Sequence, residues 1–122
     1  MPDGRLDFRR GEIRQVNLEP ALGAKARKTR SCLIVQNNVG NRYGRLTVVM
    51  PLLPGSKVAP YAVNIQASPE NGLDQDRYVD VGQIRALDSR RVLGRVGVME
   101  PEYWPRIQVA LDIVLGFDGE PF

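Results

Sequence analysis

The chain has 122 residues and a formal charge of +3, with 43% apolar and 25% charged residues, the make-up of one ordinary globular domain around one core. A single cysteine, Cys32, and the absence of histidine exclude an internal disulfide, a cysteine-rich metal site, a Ser-His-Asp triad, His-ligated zinc and paired-histidine acid–base catalysis. Chemistry on this chain falls to Arg, Lys, Asp, Glu, Tyr, Ser or Thr.

Residues 12–18 (EIRQVNL) read as a first strand, closed by a Glu19-Pro20 turn, and 21–30 as a basic, Gly-containing loop too polar to bury. Residues 31–39 (SCLIVQNNV) read as a strongly apolar strand centred on Cys32, Leu33, Ile34 and Val35, and GNRYG at 40–44 as a turn. A second apolar strand follows at 46–53, where Pro51 argues for an edge position or a bulge. After a loop at 54–60, residues 61–67 alternate, with Tyr61, Val63 and Ile65 on one face. Asn71-Gly72 lies in a polar loop, strand character returns at 78–81, and Gly82 marks a bulge before 83–88.

From Trp104 the period changes. Trp104, Ile107, Ala110, Leu111, Val114 and Leu115 fall on one helical face, with Pro101 or Pro105 in the first turn and Gly116 as the stop. No repeat, low-complexity tract or linker divides residues 1–122, so one domain is expected. Five or six short strands and a terminal helix predict a mainly β fold, a bent antiparallel sheet or partly open barrel whose exposed edges favour a dimer. No stretch approaches the roughly 18 apolar residues of a membrane span. The opening MPDGRLDFRR lacks a secretory signal's apolar core and cleavage site, so a cytoplasmic protein is expected.

Charge is unevenly spread: residues 1–60 carry +7 and residues 61–122 carry −4. No acid lies between Glu19 and Glu70, and 14 of the 17 cations are Arg, whose planar fork fits phosphate bidentately. A phosphate-bearing partner is one reading and a solvated basic face the other. Arg30 directly precedes the apolar strand, well placed to face a groove. Arg27 and Lys28 are suited to phosphate contacts without sequence choice, or simply keep their loop soluble. Gln36, Asn37, Asn38, Asn41 and Arg42 form an amide-rich segment suited equally to reading unstacked base edges and to turn chemistry. Tyr43 and Tyr61 are candidate stacking residues, and Gln83 and Arg85 alternate onto one face.

RGEIRQVNLEPALGAKARKTRSCLIVQNNVGNRYG (10–44) resembles the opening of the MazF/PemK family of toxin endoribonucleases. GQIRALDSRRV (82–92) resembles that family's E-Q-I-R-T-I-D-x-x-R-L segment, and 96–117 its closing helix. The resemblance implies an SH3-like small barrel of five to seven strands plus a C-terminal helix, and a homodimer. It also implies sequence-specific cleavage of single-stranded mRNA without metal or other cofactor, and an antitoxin protein as a further partner. The family's catalytic Arg falls on Arg30, with Ser31 where the family has Pro. Its catalytic Thr or Ser falls on Leu53, which has no hydroxyl, and its loop Glu falls on Lys25, a charge reversal. Ser56 is the nearest alternative hydroxyl by position. Lys25, Arg27, Lys28, Gln36, Asn37, Asn38, Asn41, Arg42, Gln83 and Arg85 are the expected RNA contacts. Two rival readings remain: a member that binds RNA or antitoxin without cutting, and a gyrase-poison-type binding toxin on the same fold.

Overall fold

The computed structural model describes residues 7–18 and 29–119, and the expected basic contacts Lys25, Arg27 and Lys28, with the Glu19-Pro20 turn, lie outside them. The elements in order are β1 (Glu12–Asn17), β2 (Thr29–Ile34), α1 (Asn38–Tyr43), β3 (Leu46–Pro54), β4 (Ala62–Ile65), β5 (Arg77–Asp80), β6 (Arg85–Asp88), β7 (Val92–Val98) and α2 (Trp104–Val114). The seven strands form one antiparallel sheet in the order β4-β5-β3-β2-β1-β7, with β6 paired to β3.

β3 organises the molecule. Its first half, Leu46 to Val49, pairs with β6, and its end, Leu52 to Pro54, pairs with β5. Val48 accepts from Val35 N–H, so by strand alternation the Pro51 nitrogen faces away from β2, into the gap between β6 and β5. The missing N–H therefore costs no ladder bond. Pro51 is at neither an edge nor a bulge; it sits where one strand changes partners.

Two cores lie on opposite faces. Leu33, Met50, Leu52, Val63, Ile65, Val79 and Met99 pack on one side, where Ile107 and Ala110 of α2 cover them. Phe8, Val16, Cys32, Ile34, Val49, Leu87 and Val92 form the second core, around which β6, β3, β2, β1 and β7 curve. Alternation along each strand sends neighbouring residues to different cores, so Leu33 faces α2 while Cys32 and Ile34 face inward.

Three local expectations change. The strand expected at 31–39 ends at Ile34, and the expected turn at 40–44 is part of a helix, α1. The Asn37 side chain caps α1 by accepting from Gly40 N–H at 2.8 Å. Gly40 serves close packing rather than an unusual φ, because a Cβ there would meet Gln36 Nε2 at 2.7 Å. Gly82 lies in a short 3-10 turn, Val81–Gln83, capped by Asp80, not in a bulge. β7 is an added strand. Its glycines, Gly94 and Gly97, dilute the alternating valines that would have marked it.

α2 turns Trp104, Ile107, Ala110 and Leu111 of the expected face to the core, whereas Val114 and Leu115 at its end are exposed; Pro105 lies in its first turn and Gly116, at φ +76°, after its last residue. Phe117 N–H reaches back to Asp112 C=O at 2.7 Å and seals the end.

Candidate functional site

Arg30 and Arg85 both border the inner core, on β2 and β6 with β3 between them. Arg30 alternates with Cys32 on β2, and Arg85 alternates with Leu87 on β6, opposite Val49. Cys32 is fully buried, and burial pushes its thiol up to about 12, against the opposing pull of the nearby Arg85 and Arg30 guanidiniums. Both arginines thus lie within electrostatic reach of one buried sulfur. Neither is tied by an ion pair among the described residues, and Arg85 makes only a long bond, 3.5 Å, to Leu18 C=O. The thiol stays protonated at neutral pH and serves as packing.

The surface continues past the inner core. The β2–β3 pairing ends at Cys32 and Pro51; two residues further along each strand stand Arg30 and Leu53, and Leu53 pairs with Tyr78, which pairs with Asn64. All four lie on the side of the sheet away from α2, because Arg30 pairs with Val16 of the inner core and the strand neighbours of the other three, Leu52, Val79 and Val63, belong to the α2-covered core. Asp80 shares that side. It accepts from Gly82 N–H at 3.1 Å and from Gln83 Nε2 at 2.8 Å. Lys57 Nζ lies 5.2 Å from the Tyr61 ring, and hydrogen bonding to Tyr61 pushes the pKa of its ammonium up.

Beside this strip, a cavity of about 330 Å³ is lined by Gln15, Thr29, Arg30, Ser31, Pro54, Gln75 and Arg77. No acid lines it. Ser31 accepts from Gln15 Nε2 at 3.1 Å, across a strand pair. Arg77 is bonded to Asp74 at 3.1 Å and to Leu52 C=O at 3.4 Å, while its Nε is buried without a partner.

The other expected contacts go elsewhere. Asn41 is buried, donates to Gln36 C=O at 3.0 Å, and accepts from Thr47 Oγ1 at 2.6 Å and Gln36 Nε2 at 3.2 Å. Asn38 accepts from Arg10 N–H at 2.7 Å, and Asn37 caps α1. Gln36 and Asn37 border a cavity of about 670 Å³ on the α2 side of the sheet, near Trp104, whose ring carries the Arg10 guanidinium at 3.8 Å. Arg42 stands 5.6 Å from the exposed ring of Tyr43 on α1.

Ser56 is exposed in a separate cavity with Gly55, Gln66, Asp76 and Tyr103, and does not border the cavity of Arg30. Its loop is held away by Lys57, whose N–H and C=O are both bound by the Asn64 side chain. The structure thus brings Arg30, Arg85 and Gln83 onto one side of the sheet and separates them from the amide segment. Tyr78 is the strip residue that sequence reasoning passed over. Its signal was the alternation of Tyr78 and Asp80 against Val79 and Val81.

The family model for PemK-like, MazF-like toxins of type II toxin–antitoxin systems matches residues 9–115. Endoribonuclease MazF9 of Mycobacterium tuberculosis is 34% identical over 114 residues, covering 88% of this chain and 96% of its own. Endoribonuclease MazF of Staphylococcus epidermidis is 28% identical over 113 residues, covering 92% and 94%. Among solved structures, an endoribonuclease in complex with its cognate antitoxin from a mycobacterial species superposes with a TM-score of 0.73 at 24% identity, over 95% of this chain and 99% of that one. This chain belongs to the PemK-like, MazF-like toxins of type II toxin–antitoxin systems.

Proposed function

We propose that this MazF-like toxin endoribonuclease cleaves single-stranded RNA at the strip bearing Arg30 and Arg85. The observation that carries the reading is the placement of two arginines against the inner core, Arg30 paired with Val16 and Arg85 opposite Val49, with neither ion-paired among the described residues. RNA brings its own nucleophile. The 2′-hydroxyl gives up its proton to water as its oxygen bonds to phosphorus, the P–O5′ bond breaks, the leaving 5′-oxygen takes a proton from water, and the products are a 2′,3′-cyclic phosphate and a 5′-hydroxyl. Arg30 donates two parallel N–H bonds to the negative oxygens of the phosphorane, and Arg85 holds an adjoining phosphate. The chain has no histidine, and its described residues hold no group of three or more Cys, Asp or Glu side chains suited to a metal.

In this reading the toxin acts as a homodimer and is bound by an antitoxin protein; its mycobacterial structural relative is an endoribonuclease in complex with its cognate antitoxin. We place it in the cytoplasm, where mRNA is; no helix among the described residues is long and apolar enough to cross a membrane. A long single-stranded RNA incubated with wild type and with Arg30→Ala in EDTA tests the reading. Specific cuts ending in a cyclic phosphate are expected, reduced about 10²- to 10³-fold in the variant. Intact RNA at high wild-type concentration, or equal cutting by both proteins, overturns it.

Leu53 motivates a second reading, a toxin that binds RNA and cuts poorly. It stands near the end of β3, beside Pro54 of the Arg30 cavity, and offers no hydroxyl. Under that reading Leu53→Thr raises cleavage sharply over a weak wild type. Under the first, it leaves a robust wild-type rate within a few-fold.

A further inference from the structure

We propose that Tyr78 is the stacking platform for the base flanking the scissile phosphate, an inference that rests on the reading of Arg30 above. Leu53 is directly paired with Tyr78, and Arg30 borders one cavity with Pro54 and Arg77, the chain neighbours of that pair. Tyr78, Leu53 and Arg30 therefore make a row on the side away from α2, its last member placed by that shared cavity. Adjacent strands stand about 4.8 Å apart, so a nucleotide with its phosphate at Arg30 and its sugar over Leu53 brings its base to Tyr78.

The chemistry along the row follows the chemistry of a nucleotide. The guanidinium suits the phosphate, Leu53 gives the sugar an apolar seat without competing for hydrogen bonds, and the half-buried tyrosine ring suits the π-face of a base. The far side of the ring is ordered. Asn64, next in the row, spends its amide on Lys57 N–H at 2.9 Å and Lys57 C=O at 3.1 Å, which fixes the loop carrying the ammonium near Tyr61, Tyr78 and Asp80. Asp80 and Gln83, bonded to each other at 2.8 Å, stand on the same side and bring polar edges to a base seated there. Stacking tolerates any base, so Tyr78 fixes position, while discrimination between bases falls to this polar rim.

A half-buried tyrosine also packs, and the test separates the two roles. Binding is measured by anisotropy on an RNA carrying the wild-type cleavage site with 2′-deoxyribose at the cut nucleotide, and on versions abasic at either flanking nucleotide. Tyr78→Ala is expected to weaken binding of intact RNA about 5- to 100-fold. One abasic RNA weakens wild type by a similar factor and weakens Tyr78→Ala no further, and Tyr78→Phe keeps wild-type behaviour. Tyr78→Leu, which retains apolar bulk for the fold, is read in the same way if the alanine variant fails to fold. Equal losses on intact and on both abasic RNAs, or no loss at all, overturn the assignment of Tyr78. Arg30-dependent cleavage that survives such a result leaves the endoribonuclease reading standing, whereas a wild type that binds no RNA ends both.

Discussion

The amide-rich segment at 36–41 and the strip at Arg30 and Arg85 looked alike in the sequence, as polar groups placed to meet RNA, yet the structure treats them in opposite ways. In the first, the Asn41 side chain satisfies Gln36 and Thr47, and Asn37 and Asn38 bond the backbone of Gly40 and Arg10. In the second, Arg85 makes only a long contact to a carbonyl, and Arg30 has no ion pair among the described residues. Polar groups whose bonding capacity is used internally build the fold. Groups held in place by their strands and left with donors to spare are the ones a ligand can use.

The largest expected effect breaks the first region. Asn41→Ala leaves the Thr47 hydroxyl, which is fully buried, without its acceptor and the Gln36 carbonyl without its donor. Two unsatisfied groups of this kind cost about 2–4 kcal/mol, measured by urea denaturation. Thr47→Val removes one bond and leaves Asn41 Oδ1 with Gln36 Nε2, so it costs about 1 kcal/mol. An Asn41→Ala variant of unchanged stability but weakened RNA binding would return this segment to the binding surface.

Arg85→Ala is the converse and comes next. The loss of a long bond to Leu18 leaves the melting temperature nearly unchanged, while RNA affinity falls about tenfold. The slope of log affinity against log salt becomes shallower by about 0.7, the value for one phosphate contact on a single strand. Loss of affinity with no change in slope would place Arg85 outside the phosphate path.

These contrasts also explain what was legible. Continuous apolar runs marked β2 and β3, which are buried on both faces, alternation marked β4, and the helical period with Pro105 and Gly116 marked α2, because burial writes its pattern into the residues. α1 was hidden because Asn and Gly carry the same local preference in a helix cap and in a turn, and the deciding partner, Thr47, is supplied by β3. Pro51 announced a broken ladder, yet the change of partner from β6 to β5 depends on pairings distant in sequence. The same is true of the site. Arg30 was legible from the segment it belongs to, whereas the row joining it to Leu53 and Tyr78 exists only once β3 and β5 pair. Ser56, three residues beyond Leu53, is taken off the row by the Asn64–Lys57 bonds.

The smallest effect concerns a third polar cluster, which belongs with the amide segment. Buried Asn71 accepts from Ser68 N–H and Leu73 N–H and donates to Gln66 C=O and to Glu100, whose other carboxylate oxygen takes the Ser68 hydroxyl. Burial pushes the Glu100 carboxyl up, but the bonds from Ser68, its own backbone and Asn71 outweigh it, and the net shift is downward. A carboxyl with a lower pKa in the folded chain than in the unfolded one contributes stability above its unfolded pKa, about 4.3 for Glu, and loses it as pH falls through the folded value. Glu100→Gln carries no charge at any pH. Its stability deficit against wild type, from urea melts at pH 7, 5 and 3, is therefore expected to be largest at pH 7, hardly changed at pH 5 and shrinking by pH 3. A deficit that stays constant across that range would mean that the Glu100 bonds act through shape alone, and that the charge on this carboxylate, unlike the charges on Arg30 and Arg85, has no work of its own.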